Sequence, residues 1–130
     1  MYREILPENC PPAYAGEIND VLYRIVNNNI VLEEDFIPYS KKFPENPRYK
    51  NNCKAHAVSF YKEMYTLLKT YRNAIKNGSN LGKYIASLEI KPNLGKSVIN
   101  SNGHVSLWFY KDVNFDKLRY IEIREINEIR

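Results

Sequence analysis

The segment His104-Val-Ser-Leu-Trp-Phe-Tyr110 alternates polar or amphipathic side chains with apolar ones. In an extended chain this puts His104, Ser106, Trp108 and Tyr110 on one face, and Val105, Leu107 and Phe109 on the other. An imidazole, a hydroxyl, an indole and a phenol on one face can stack a flat ring and hydrogen-bond its edges. A covering segment over a core tryptophan would produce the same pattern. Arg24 is the second candidate. It is the single charge within Val21-Leu-Tyr-Arg-Ile-Val26, and a buried guanidinium needs a partner. That partner is either a carboxylate, with Glu89 and Glu122 as candidates, or an anionic ligand whose phosphate or carboxylate matches the guanidinium fork. Cys53, His56 and His104 form an incomplete ligand set without an evident fourth member, so no metal site is expected. A Cys53 thiolate activated by His104 would be a nucleophile. No phosphate-binding glycine loop, dinucleotide fingerprint, nucleophile elbow or Cys-x-x-Cys pair occurs in the chain.

The elements that must hold these residues read as an α+β domain. Val21–Val26 is a strand stopped by three asparagines. Residues 6–20 form a proline-rich leader, and 30–52 a long irregular loop with a helical turn at Glu33–Phe36. Phe60, Met64, Leu67, Leu68, Tyr71 and Ile75 recur at helical spacing. Cys53 and Ala57 extend that stripe upstream, so periodicity favours one principal helix over about 53–77, stopped by Asn77-Gly78. The alternative is a short strand at 55–60 with a helix starting near Tyr61. From Lys83 the period changes to two. Strands follow at 83–90, 96–99, 104–110 and 118–126, the last with Ile121 and Ile123 turned inward. The expected architecture is a mainly antiparallel sheet of about five strands in a single domain, 1–130.

Composition bounds the function classes. A chain of 130 residues and a formal charge of +4 holds one core and carries only mild basicity. The local basic excess at Lys62, Lys69, Arg72 and Lys76, beside Tyr61 and Tyr65, could serve nucleic acid, although a solvated helix face explains it too. No apolar run is long enough for a membrane span, and no export signal is visible. Together these suggest a cytoplasmic protein whose Cys10 and Cys53 are free thiols, with one disulfide as the alternative. The 11 tyrosines exclude a disordered chain.

Leu6-Pro-Glu-Asn-Cys-Pro-Pro, Tyr23-Arg24, Asp35-Phe36, Cys53-x-Ala, Ser59-Phe60, Gly103-His104 and Trp108 together resemble a family of small bacterial proteins without an assigned activity. More weakly, the layout resembles ADP-ribosyltransferase-like domains. These carry an Arg or His on the first strand, a Ser on a second strand running into a helix, and a Glu on a late strand. The resemblance implies that Arg24 grips NAD phosphate or ribose, Ser59 braces the nicotinamide side, and Glu122 stabilises the developing oxocarbenium ion. The chain lacks a Ser-Thr-Ser run at Ser59, and Glu122-Ile-Arg-Glu125 is not a Glu-x-Glu pair.

The leading expectation is a ligand-binding or interaction module, in a bacterial defence or toxin–antitoxin setting. Its pocket of Arg24, His104, Ser106, Trp108 and Tyr110 would take a nucleotide-like or anionic ligand. An NAD-using ADP-ribosyltransferase-like enzyme, with Arg24, Ser59 and Glu122 as catalytic residues, is the alternative. Nucleic-acid binding by the basic helix face is the second alternative. Small molecules or proteins are the expected partners, with no membrane and no resident cofactor.

Overall fold

The structure, a computed structural model, describes residues 1–129. Six antiparallel strands form one sheet: β1 (Asp20–Val26), β2 (Val58–Tyr61), β3 (Tyr84–Ile90), β4 (Gly95–Ile99), β5 (His104–Phe109) and β6 (Tyr120–Glu125), in the order β4-β5-β2-β1-β3-β6. The expectation of five strands is thus one short. Short helices α1 (Tyr39–Lys42) and α2 (Pro47–Lys50) break the 30–52 excursion, and α3 (Met64–Lys76) is the principal helix. The helical turn expected at Glu33–Phe36 is present as a 3-10 turn.

The stretch 53–63 departs from the long-helix expectation. Cys53–His56 is a 3-10 turn and Val58–Tyr61 is strand β2, so the helix begins only at Met64. The physical reason lies in Val58 and Phe60. Both are buried in the sheet core, Phe60 completely, and alternate with the exposed Ser59. Branched and aromatic residues at period two gain more from pairing with β5 than from prolonging the helix. The helical spacing of Cys53, Ala57 and Phe60 carries no shared face.

The sheet buries both sides. Leu22, Val26, Val58, Phe60, Leu88, Val105, Leu107 and Phe109 form one core, capped by Phe36 and Leu118. On the opposite face Leu67 and Leu68 of α3 pack on Ile85, Tyr23, Ile25 and Tyr61. At roughly 1.5–3 kcal/mol per fully buried large side chain, the first core supplies most of the driving force. At the β6 edge the register shifts between Ser87 and Leu88, which breaks the side-chain alternation. Ile123 packs inward, whereas Ile121, expected inward, is 55% exposed. Gly95 faces the main chain of β5: a Cβ there would lie 2.3 Å from the Trp108 carbonyl oxygen.

The leader is ordered across the other sheet edge. Gly16 bridges Ser97 on β4, which covers part of an edge that would otherwise offer unpaired backbone groups; Tyr2 bridges Tyr110 just past the end of β5, on the side away from β4. A disulfide joins Cys10 of the leader to Cys53. The expectation of free thiols is therefore overturned: the fold brings two residues 43 apart in sequence to a Cα separation of 5.5 Å, within bonding reach. A Cys53 thiolate nucleophile is excluded for the same reason. Among the described residues no helix is long and apolar enough to cross a membrane.

Removing this cross-link should be costly. A loop of 43 residues gives a loss of about 4 kcal/mol by the chain-entropy argument. Thermal melts of the wild type with and without reductant, and of the Cys10→Ser/Cys53→Ser double variant, should show a matching drop in Tm. Equal melting temperatures would mean that the cross-link does not hold the leader.

Candidate functional site

The site begins where the sheet splits. β1 and β2 pair only at Tyr23 and Tyr61, whereas β1 stays paired with β3 along its whole length and β2 with β5. Lys62 N–H donates to the Gly103 carbonyl at 2.9 Å, which makes Tyr61–His104 a non-hydrogen-bonded pair and, two residues on, Ser59–Ser106 another. The Ser59 carbonyl therefore points toward β1, from which β2 has separated. Arg24 fills that gap. Its Nη1 donates to the Ser59 carbonyl at 2.7 Å and its Nε to the Asp35 carbonyl at 2.7 Å. The guanidinium carbon stands 5.8 Å from the Phe60 ring centre. The expected ion pair with Glu89 or Glu122 does not form: Glu89 pairs with Lys91 and Arg119, and Glu122 with Arg124.

Burial lowers the Arg24 pKa to about 10, with Asp35 and Tyr39 opposing the shift and Arg3 adding to it. Arg24 remains a cation at neutral pH. Two of its donors are committed to carbonyls, and Nη2 is the remaining corner of the fork.

Beside it, His104 Nε2 lies 3.0 Å from Ser59 Oγ. The close approach of a non-hydrogen-bonded pair brings these diagonal neighbours together. Burial, and then the charge of Lys54, lowers the His104 pKa, so the ring is neutral at pH 7. A neutral Nε2 without its proton accepts from the Ser59 hydroxyl; Tyr61 meets the ring edge-on at 5.2 Å.

Arg24, Ser59 and His104 line one cleft of about 1080 Å³. Leu67 and Thr70 of α3, side chains of the 34–49 segment and Ser79–Leu81 also line it. The volume suits a dinucleotide-sized ligand. On the outer wall Tyr39, Phe43 and Tyr49 touch one another, with Tyr39 and Tyr49 stacked at 5.8 Å.

The other sequence candidates lie elsewhere. Trp108 is 1% exposed and donates from Nε1 to the Cys53 carbonyl at 3.1 Å. It is a core residue beneath the 53–56 turn and does not line the cleft. Ser106 is buried beside it on the same strand. Tyr110 donates to Glu17 at 2.8 Å and packs on Tyr2; burial and then Glu17 push its pKa up to about 12. Glu122 is exposed on β6, beyond β1 and β3 from β2, so it cannot reach Ser59. Alternation names a face without naming its cover: His104 reaches the cleft, whereas Ser106 and Trp108 are covered. Tyr39, Phe43 and Tyr49 were missed because their spacing has no period; the only signal was the length of the excursion that holds them.

The metal set Cys53, His56 and His104 does not assemble. Cys53 is in the disulfide, His56 Nδ1 meets the Asn52 carbonyl, and no metal-holding cluster occurs among the described residues. On the basic helix face, Lys62 pairs with Asp20 and Tyr61 turns onto His104.

No family model matches the chain, and neither a curated protein nor a solved structure is significantly similar to it.

A depressed His104 pKa makes stability depend on pH. Below about 6.5 the unfolded chain takes a proton that the folded one refuses, so this contribution is full above that pH. It is lost as pH falls through the lower folded value. Proton NMR should place the His104 titration below the ordinary imidazole value of about 6.5. Lys54→Gln should move it upward, because a repelling charge is removed. An unmoved titration would show that Lys54 does not act on the ring.

Proposed function

We propose that the cleft binds a nucleotide-like anionic ligand of the dinucleotide NAD type, and that the chain acts on it in the manner of an ADP-ribosyltransferase. The observation that carries this reading is the convergence of Arg24, Ser59 and His104, from three different strands, on one cleft. Arg24 on β1, and Ser59 on a β2 that leads into α3, occupy the places that the family resemblance assigns to the phosphate-gripping and nicotinamide-bracing residues. Glu122 has no part in this reading.

The chemistry follows from what stands beside Ser59. The pinned Arg24 presents Nη2 toward a phosphate or ribose oxygen, pre-oriented by its two carbonyl contacts. The neutral imidazole of His104 accepts a proton and lies within hydrogen-bond reach of Ser59. A hydroxyl or water attacking the ribose carbon would lose its proton to Nε2 as the bond to nicotinamide breaks. His104, rather than a carboxylate, is the basic group of this site. A second reading, a binding module that holds the ligand without transfer, is favoured by the same substitution. Without Glu122, the resemblance supplies no carboxylate to stabilise an oxocarbenium ion. A bacterial defence or toxin–antitoxin setting suits either reading.

Calorimetric titration with NAD should show binding by the wild type that weakens on the order of tenfold or more in Arg24→Lys, because a point charge replaces a fixed fork. His104→Gln should keep binding within a few-fold and abolish nicotinamide release. Binding without release by the wild type would select the module; no NAD binding, or equal binding by wild type and Arg24→Lys, would refute the proposal.

A further inference from the structure

The outer wall of the cleft has a composition that neither Arg24 nor the Ser59–His104 pair explains. Residues 41–54 hold five basic side chains, Lys41, Lys42, Arg48, Lys50 and Lys54, against one acidic, Glu45. This short stretch therefore carries a formal charge equal to the +4 of the whole chain. All five basic residues are exposed. Among the described residues only Lys41 has a carboxylate within reach, Glu4 at 4.0 Å. The other four leave their charge to solvent, because α1 and α2 pack against the 53–56 turn and not against an acidic surface.

The aromatic trio stands in the middle of this charge. Tyr39 is 51% exposed and Phe43 46%, although each touches Tyr49 and the other. Exposed rings normally cost free energy unless something covers them. Here they line the wall of a concave cleft, with Lys42 Nζ 5.7 Å from the Phe43 ring. Exposed rings on a cleft wall shared with Lys41 and Lys42, and followed in the chain by the exposed Arg48, Lys50 and Lys54, match a polyanion that also offers flat rings: phosphates meet the cations, and unpaired bases stack on the aromatics. An acidic peptide would use the charges and leave the rings bare. A duplex would hide the base faces that the rings need.

We infer that the wall formed by residues 39–54 binds single-stranded nucleic acid and leads it toward the Ser59–His104 pair. The strand lies on α1, α2 and the 53–56 turn, and it is a different partner from the dinucleotide in the cleft. This surface stands on charge and ring exposure alone and does not depend on the dinucleotide reading.

Fluorescence anisotropy with labelled single strands of about 12 nucleotides tests it, alongside NAD titration of the same samples. Affinity should fall steeply with salt. Lys42→Gln/Lys50→Gln should flatten the log–log slope by about 1.4, two single-strand phosphate contacts' worth. Tyr49→Ala should weaken binding about tenfold. The Lys→Gln pair alters only exposed side chains, so circular dichroism should be unchanged and the slope remains decisive even if Tyr49→Ala unfolds. The inference is overturned by absence of binding at low salt or by an unaltered slope in the lysine variant. It is also overturned by equal binding of duplex or polyglutamate, or by binding to anionic vesicles in place of oligonucleotides. Loss of NAD binding with oligonucleotide binding intact would remove the dinucleotide reading and leave this surface standing.

Discussion

The architecture turns on one side chain standing where a strand ladder stops. β1 and β2 meet at a single pair, and the carbonyl of Ser59 then faces empty space. A hydrogen bond from a charged donor to a carbonyl contributes about 1.5–3 kcal/mol, so an open split in the middle of a sheet favours a cationic occupant. Arg24 supplies it, bridging the carbonyls of Ser59 and Asp35. The same contact holds the 33–36 turn against the sheet and keeps β1 and β2 apart. The cleft is thus a consequence of how the sheet's own hydrogen bonding is completed. The guanidinium that closes the backbone account on one side presents a cation on the other.

A second constraint ties the cleft wall to the fold. The leader crosses the β4 edge and is bonded through Cys10 to Cys53. The Cys53 carbonyl in turn accepts from Trp108. The 53–56 turn is therefore fixed from above by the disulfide and from below by the indole. The short helices of the 30–52 excursion rest on this turn. With helices of four residues each, they have little stability of their own, and the tethered turn gives the aromatic wall its position.

Polar networks divide the site from the core. Ser59 and His104 sit at the cleft, while Ser106 and Trp108, two and four residues further along β5, are covered. The strand passes under the 53–56 turn between those positions. A single amphipathic face thus serves solvent at one end and packing at the other. His104 is the last residue on that face to reach the cleft, and burial together with Lys54 keeps it neutral there.

The sequence by itself determined the α+β class, the strands with strong alternation, the C-terminal stop of α3 and the anomaly of Arg24. Each of these depends on local period or on one residue's conflict with its neighbours, and both are visible along the chain. Tertiary structure alone decided the strand at 58–61, because helical and extended periods overlap across Cys53–Phe60 and only pairing with β5 separates them. It also decided the cross-link, since the distance between residues 10 and 53 belongs to the fold, and the cover over Trp108. The site shows the same division. Arg24 and His104 were legible as chemistry, but their meeting at Ser59 depends on where a ladder breaks. The wall of Tyr39, Phe43 and Tyr49 depends on a turn held by a disulfide. Non-local hydrogen bonding and covalent closure leave no period in a sequence, and these two forces set the site.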